Sequence, residues 1–342
     1  MRKRKFMLVL ILGIAMVLAA CGQSSSSNKG KDADEKDTYL IIAGHAAAKE
    51  HFGQKSFEKF KELVEKNSNG RIKVEIHPNG ELGGEREMVE KLLLGEITMM
   101  APASAPLDAV TKSMAVWDLP YLFNDSETAH RVLDGEVGQE VLDSMADKGL
   151  VGLAYWENGF RHLTNNIRPI ANVSDLAGIN MRTLENPMQI KAWSLAGANA
   201  TPIAFTELYS ALESHTVDAQ ETPLSLMYSM KFYEVQKYLS LTGHTYSPWP
   251  VVINKEFFDS LPEDLQQVVR DAAYETREYN RQLSREDEET ALQLLKEQGM
   301  EVIEYTDEQK QEFKNAMSSI YSDVKSDVGE ELFNKLMNET SK

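Results

Sequence analysis

The chain has 342 residues, with 53 acidic against 36 basic side chains and a net charge of −17 at neutral pH. Such an acidic chain repels a phosphate backbone, which excludes nucleic-acid binding and leaves any anionic ligand to a few local cations. The single cysteine, Cys21, excludes an internal disulfide and a cysteine-built metal site.

Arg2 to Lys5 are all basic, Phe6 to Leu18 form an apolar run of thirteen residues, and small residues follow. This is the layout of a secretory signal over 1–20, since thirteen residues fall short of the roughly 18–20 that span a bilayer. Leu18-Ala19-Ala20-Cys21 resembles the lipobox of bacterial lipoproteins, in which the cysteine is acylated and becomes the new amino terminus. Cleavage there removes Arg2, Lys3, Arg4 and Lys5 and takes the net charge from −17 to −21. The serine- and charge-rich stretch up to Asp37 cannot bury enough apolar surface to fold, so 21–37 reads as a lipidated flexible tether. The expected location is extracytoplasmic, on the cell membrane. The remaining residues, about 300, suit two domains of ordinary size.

The first half alternates strands and amphipathic helices. Tyr39 to Ala43 reads as a strand, and Gly53 to Lys66 as a helix with Phe57, Phe60, Leu63 and Val64 on one face. Ile72, Val74 and Ile76 alternate as in a half-buried strand, Glu85 to Leu94 resumes the helical period, and Ile97 to Ala101 is the next strand. Strands are further expected at Leu150 to Trp156, Ile179 to Leu184 and Lys237 to Gly243, with helices at Asn186 to Ala196 and Thr206 to Glu213. This rhythm implies a mostly parallel sheet covered by helices. Ser260 and Glu263 form a capping-box pattern with Pro262 in the first turn, and no proline follows before Gly299. One helix of about 30 residues or more, some 45 Å long, would brace two lobes.

Catalytic signatures are absent: there is no G-x-S-x-G elbow, H-E-x-x-H helix, EF-hand loop or P-loop. Ser56-Phe57-Glu58-Lys59 and Ser322-Asp323-Val324-Lys325 fit S-x-x-K, but the partner motifs are missing and both lie on amphipathic helices. The seven histidines show no ligand spacing, so neither a metal nor another cofactor is expected.

The informative region is Trp156 to Thr222, with Gly159-Phe160-Arg161, Met181-Arg182-Thr183-Leu184-Glu185-Asn186-Pro187, the segment Gly197 to Phe205, and Val217-Asp218-Ala219-Gln220-Glu221-Thr222-Pro223. With Gly80 to Met88 (GELGGEREM) and Asp118-Leu119-Pro120-Tyr121-Leu122-Phe123, these motifs resemble the solute-binding proteins of tripartite ATP-independent periplasmic (TRAP) transporters. The family is typified by C4-dicarboxylate and sialic acid binders, and the resemblance covers nearly all of 39–305. It implies that Arg182 pairs with a ligand carboxylate, a match of planar donors to planar acceptors worth roughly 1.5–3 kcal/mol per charge-assisted bond. Arg161 matches the second family arginine, and Phe205 an aromatic placed against the ligand. Glu221 and Thr222 are further ligand-binding candidates; Thr222 stands where the family has asparagine and Ala219 where it has glycine, so the clamp around the carboxylate is altered. Trp117, Trp156, Trp193 and Trp249 are candidates to stack on a sugar, with Trp193 placed rather in the core by Ile190 and Leu195. His45, after the first strand, is expected at the cleft.

The resemblance further implies a two-lobed α/β fold like that of periplasmic binding proteins, with central mixed sheets, a hinge, and a long helix spanning both lobes. Lobe I is expected to hold 38–159 plus 248–286 and lobe II 160–247 plus 287–342. It implies a monomeric, non-catalytic binder that closes over a small organic acid, a C4-dicarboxylate or a sugar acid, and delivers it to TRAP membrane subunits. A ligand-sensing lipoprotein that presents an organic acid to a membrane receptor is the second reading, and an extracellular enzyme the third.

Overall fold

A computed structural model describes residues 38–342, so the signal, Cys21 and the tether lie outside the described residues. The chain opens with β1 (Tyr39–Gly44), α1 (Phe52–Asn67), β2 (Ile72–His77), α2 (Glu85–Leu93) and β3 (Met99–Met100). Two short helices, α3 (Ser126–Leu133) and α4 (Glu136–Asp143), lead into the long strand β4 (Leu150–Asn165). The middle holds β5 (Asn180–Thr183), α5 (Pro187–Leu195), β6 (Asn199–Pro202), α6 (Leu208–Glu213), β7 (Ala219–Pro223) and α7 (Leu224–Ser229). A second long strand, β8 (Tyr238–Asn254), is followed by α8 (Lys255–Ser260), α9 (Glu263–Glu297), β9 (Glu301–Glu304), α10 (Asp307–Ala316), α11 (Ile320–Val328) and α12 (Glu330–Thr340).

The strands form one mixed sheet in the order β2-β1-β3-β8-β4-β7-β5-β6, with β9 added alongside β8. Its spine is the antiparallel ribbon of β4 and β8, from Leu150 opposite Asn254 to Asn165 opposite Tyr238. One end of the ribbon carries the parallel set β1, β2 and β3, through Met99 opposite Ile253. The other end carries β7, β5 and β6 on the β4 side and β9 on the β8 side. The two ends are two α/β halves joined by two continuous strands. The ribbon's register slips at Gly152/Ala154, Glu157/Gly159 and Arg161/Leu163. Such irregularities bend and twist a strand and often flank functional sites. Gly159 adopts φ +112°, a conformation open to glycine and strained for other residues.

Sequence periodicity underestimates the ribbon. The expected strands 150–156 and 237–243 are the beginnings of strands of 16 and 17 residues, because the continuations bury both faces and lose the alternation that marks a strand. β6, β7 and β9 are short and give no such pattern, and the strand expected over 97–101 narrows to Met99–Met100.

The long helix is present as α9, 35 residues and about 52 Å at 1.5 Å per residue. Its start differs from the capping box expected at Ser260. The Ser260 hydroxyl donates to the Phe257 carbonyl at 2.6 Å and closes α8, while Pro262 occupies the cap of α9 without a side-chain bond. Glu263 and Asp264 in the first turn complement the helix dipole instead. α9 packs on α1, β4 and α7. Trp156 Nε1 donates to the Ala273 carbonyl at 3.0 Å, Asn280 Oδ1 accepts from the Glu157 amide at 2.6 Å, and Arg281 forks onto Asp134 at 2.6 and 2.9 Å. α11 packs on the segment 112–118 and α12 on α3 and α4.

Candidate functional site

Where the two halves meet, Ala46, Glu85, Asn158, Arg161, Phe205 and Trp249, with Thr222 and apolar alanines and leucines, line a tight cavity of about 20 Å³. Asn158 and Arg161 come from the ribbon at its register slips, Trp249 from the facing strand, Glu85 from the first turn of α2, and Thr222 from β7. Residues of widely separated sequence thus meet where the carboxyl ends of β1, β3 and β5 face the middle of the ribbon, and strand carboxyl ends are where open α/β sheets bind ligands.

Arg161 and Arg182 differ sharply. Arg161 opposes Pro223 in the β4–β7 ladder, which sets it diagonally beside Glu221. Its Nε and Nη2 donate to the two Glu221 carboxylate oxygens, and Nη2 also reaches the Glu221 carbonyl at 2.7 Å. His244 Nε2 lies 3.0 Å from the same carboxylate and His244 Nδ1 2.8 Å from Thr242 Oγ1. Burial would raise the Glu221 carboxyl, but Arg161 and His244 override it and hold it down to about 2.

Arg182 is fully buried, its Nε donates to the Ile203 carbonyl at 2.8 Å, and its guanidinium lies 5.9 Å from the centre of the Phe205 ring. Nη1 and Nη2 have no hydrogen-bond partner among the described residues. Burial lowers its pKa to about 10 against the opposing pull of Glu221. Two buried donors on a charged group without acceptors are costly and rare, and they suit an anion held in two bonds.

Of the residues expected from sequence, Arg161, Phe205 and Thr222 line the space, while Arg182 lies against Phe205 and Glu221 backs Arg161. Trp156 does not line it. Its indole is buried edge-on to Phe57 and Phe60, 5.1 and 6.3 Å between ring centres, with its N–H satisfied by the α9 backbone. His45 is turned the same way: its ring stacks on Phe57 at 5.0 Å and bonds Gln54 at 2.9 Å, so its neighbours Ala46 and Ala47 line the space instead. Trp117 bonds the Tyr155 hydroxyl in the core at 3.2 Å, and Trp193 packs edge-on to His244. Trp249 alone of the four tryptophans faces the space.

Sequence reasoning missed Asn158 and Glu85. Asn158 sits beside the Gly159-Phe160-Arg161 motif without a pattern of its own. Glu85 lies inside the GELGGEREM segment, at the first position of a helix that begins after two glycines. Its Oε1 accepts from the Ala103 amide at 3.1 Å, and burial raises its carboxyl against the lowering pull of Arg161 and Arg182. The described residues hold no group of His, Cys, Asp and Glu arranged for a metal.

Residues 43–327 match the model of the bacterial extracellular solute-binding proteins, family 7. The chain belongs to this family, the binding proteins of TRAP transporters. It is 37% identical over 316 residues to the 2,3-diketo-L-gulonate-binding periplasmic protein of Escherichia coli (strain K12), covering 92% of each chain. Among solved structures, the sugar acid binding protein of Advenella mimigardefordensis strain DPN7T in complex with galactonate superposes with a TM-score of 0.87 at 36% identity, over 89% of this chain and 98% of that one. A TRAP periplasmic solute-binding protein of Sulfurospirillum deleyianum DSM 6946 with bound succinate gives 0.83 at 33% identity, over 88% and 98%. As a TRAP binding protein the chain serves transport outside the cytoplasm and is not an enzyme. No described helix is long and apolar enough to cross a membrane.

Proposed function

We propose that this TRAP binding protein captures a small organic acid between its two halves, seats the carboxylate on Arg182, closes, and hands the solute to the membrane subunits. The observation that carries this reading is the pair of Arg182 nitrogens, buried without an acceptor next to a cavity whose other arginine is already committed. Phe205 packs against the guanidinium, Thr222 supplies a hydroxyl, and Arg161 reaches the solute with Nη1, while Glu221 fixes its orientation. His45 and Trp156 act from behind, through Phe57. Relatives named for a sugar acid, or solved with galactonate and succinate, support an organic acid as the solute class.

The ribbon of β4 and β8 is the hinge of this reading, with lobe I over 38–159 plus 248–286 and lobe II over 160–247 plus 287–342. α11 and α12, although late in the chain, lie against first-lobe elements. Closure expels water, which strengthens the guanidinium–carboxylate contact. The monomeric protein is held at the membrane by lipid on Cys21, so Cys21→Ser should release it into the medium with unchanged affinity. The deciding experiment is titration calorimetry with sugar acids and dicarboxylates on the full chain and on Arg182→Ala. The parent should bind an acid and the variant should not, and normal binding by the variant refutes the site.

A further inference from the structure

We propose that the cavity is built for a monocarboxylate carrying hydroxyl groups, with Glu85 and Asn158 accepting hydrogen bonds from those hydroxyls, and that it discriminates against dicarboxylates. This rests on the reading of the chain as an organic-acid binder and narrows the class of acid.

Charge is the first argument. Arg161 and Glu85 line the cavity, Arg182 and Glu221 lie directly behind it, and Glu185 adds a further negative charge that acts on both Arg182 and Glu85. Glu221 takes two nitrogens of Arg161 in a buried ion pair, so Arg161 offers its remaining edge as a donor rather than as a net charge. Among the described residues around the cavity, that leaves Arg182 as the cation without a bonded carboxylate, enough for one carboxylate of a solute. A second carboxylate would have to be desolvated beside Glu85 with no cation left to meet it, a cost far above what one more contact returns.

Hydrogen-bond polarity is the second. Glu85 uses Oε1 on the Ala103 amide, and its other oxygen makes no bond among the described residues. Asn158 donates Nδ2 to Ser247 Oγ at 3.3 Å, and its Oδ1 is buried without a partner. These two acceptors face the same space as Arg182's neighbour Phe205. A carboxylate brings only acceptors to them, whereas a hydroxyl brings a donor. The Trp249 and Phe205 rings also line the space and offer flat apolar faces to the C–H side of a polyol chain.

The test is titration calorimetry of the full chain with D-galactonate, D-erythronate and succinate, repeated on Glu85→Gln and Arg182→Ala. A hydroxylated acid should bind about 100-fold or more tighter than succinate, because a site with buried acceptors rejects a solute that leaves them unmade. Glu85→Gln can still accept from Ala103 but turns an amide donor to the cavity. It should therefore shrink that ratio by about tenfold or more at an unchanged melting temperature. Succinate binding as tightly as either hydroxy acid overturns the inference without any variant, and so does a Glu85→Gln protein that keeps the full ratio. Tight succinate binding lost in Arg182→Ala overturns this inference alone. Absence of binding by all three acids overturns the organic-acid reading together with it.

Discussion

Arg161 and Glu221 are locked to one another inside the sheet: two guanidinium nitrogens meet both carboxylate oxygens, and one of them also holds the Glu221 carbonyl at 2.7 Å. Both residues are almost completely buried, and His244 completes the cluster at 3.0 Å. Glu221→Gln keeps the shape but strands the Arg161 charge. Removing one partner of such a pair should destabilise the protein by about 3–5 kcal/mol in urea denaturation. The pH dependence follows. The folded carboxyl, at about 2, lies below its ordinary 4.5, so its contribution is present above the ordinary value and is lost as pH falls from there towards 2. The variant should lack this acid limb.

Asp118 titrates in the opposite sense. Burial pushes its carboxyl up to about 7 from an ordinary 3.8, while the side chains of Ser104 and Gln189 each bond it at 3.2 Å. The folded state favours the protonated form, so stability falls as pH rises from about 4 to about 7 and levels off above. Asp118→Asn is neutral throughout and should remove that decline. It should match the parent near pH 4 and exceed it at pH 8 by something on the order of 2–4 kcal/mol. Melting curves across this range check both limbs.

Gly53 shows how a small residue sets a large one. A β-carbon there would lie 2.5 Å from the Trp249 indole, which is carried on a paired strand and cannot swing aside freely. Gly53→Ala gains about 1 kcal/mol of helix propensity but incurs an overpacking cost of about 1–3 kcal/mol, so a net loss of stability is expected. Because Trp249 lines the cavity, solute affinity should fall as well. A variant that binds normally would mean that Trp249 does not touch the solute.

The sequence made the periodic elements legible, and the site only in part. α1, β1 and β2 announce themselves through apolar spacing, and α9 through a long stretch without proline. The ribbon of β4 and β8 does not, since a strand buried on both faces loses its alternation. Arg182, Phe205 and Thr222 were legible through local motifs. Trp249, Glu85 and Asn158 face the cavity because of the sheet order and the slips at Glu157/Gly159 and Arg161/Leu163, which are properties of strand pairing. Trp156 and Trp249 stand directly opposite each other in the ribbon, yet only Trp249 reaches the cavity. Composition could not have distinguished them.

His51 offers the sharpest test of closure. Its Nδ1 accepts from the Gly53 amide at 3.0 Å and caps α1, which fixes the proton on Nε2 and makes that nitrogen a donor to Ser225 Oγ, 3.1 Å away at the start of α7. Burial lowers its pKa to about 3, so the ring stays neutral at every physiological pH and the bond does not switch. The contact joins the proposed first lobe to the second. Ser225→Ala removes it without touching the cap, and His51→Asn retains a capping side chain too short to reach Ser225. If the halves close over the solute as proposed, each should weaken solute binding by about 1 kcal/mol, roughly fivefold, because the bond would then form only on closure. The double variant should lose no more than either single one, since both remove the same interaction. Additive losses in calorimetry would show instead that the two residues act independently, and that this bond plays no part in holding the halves together.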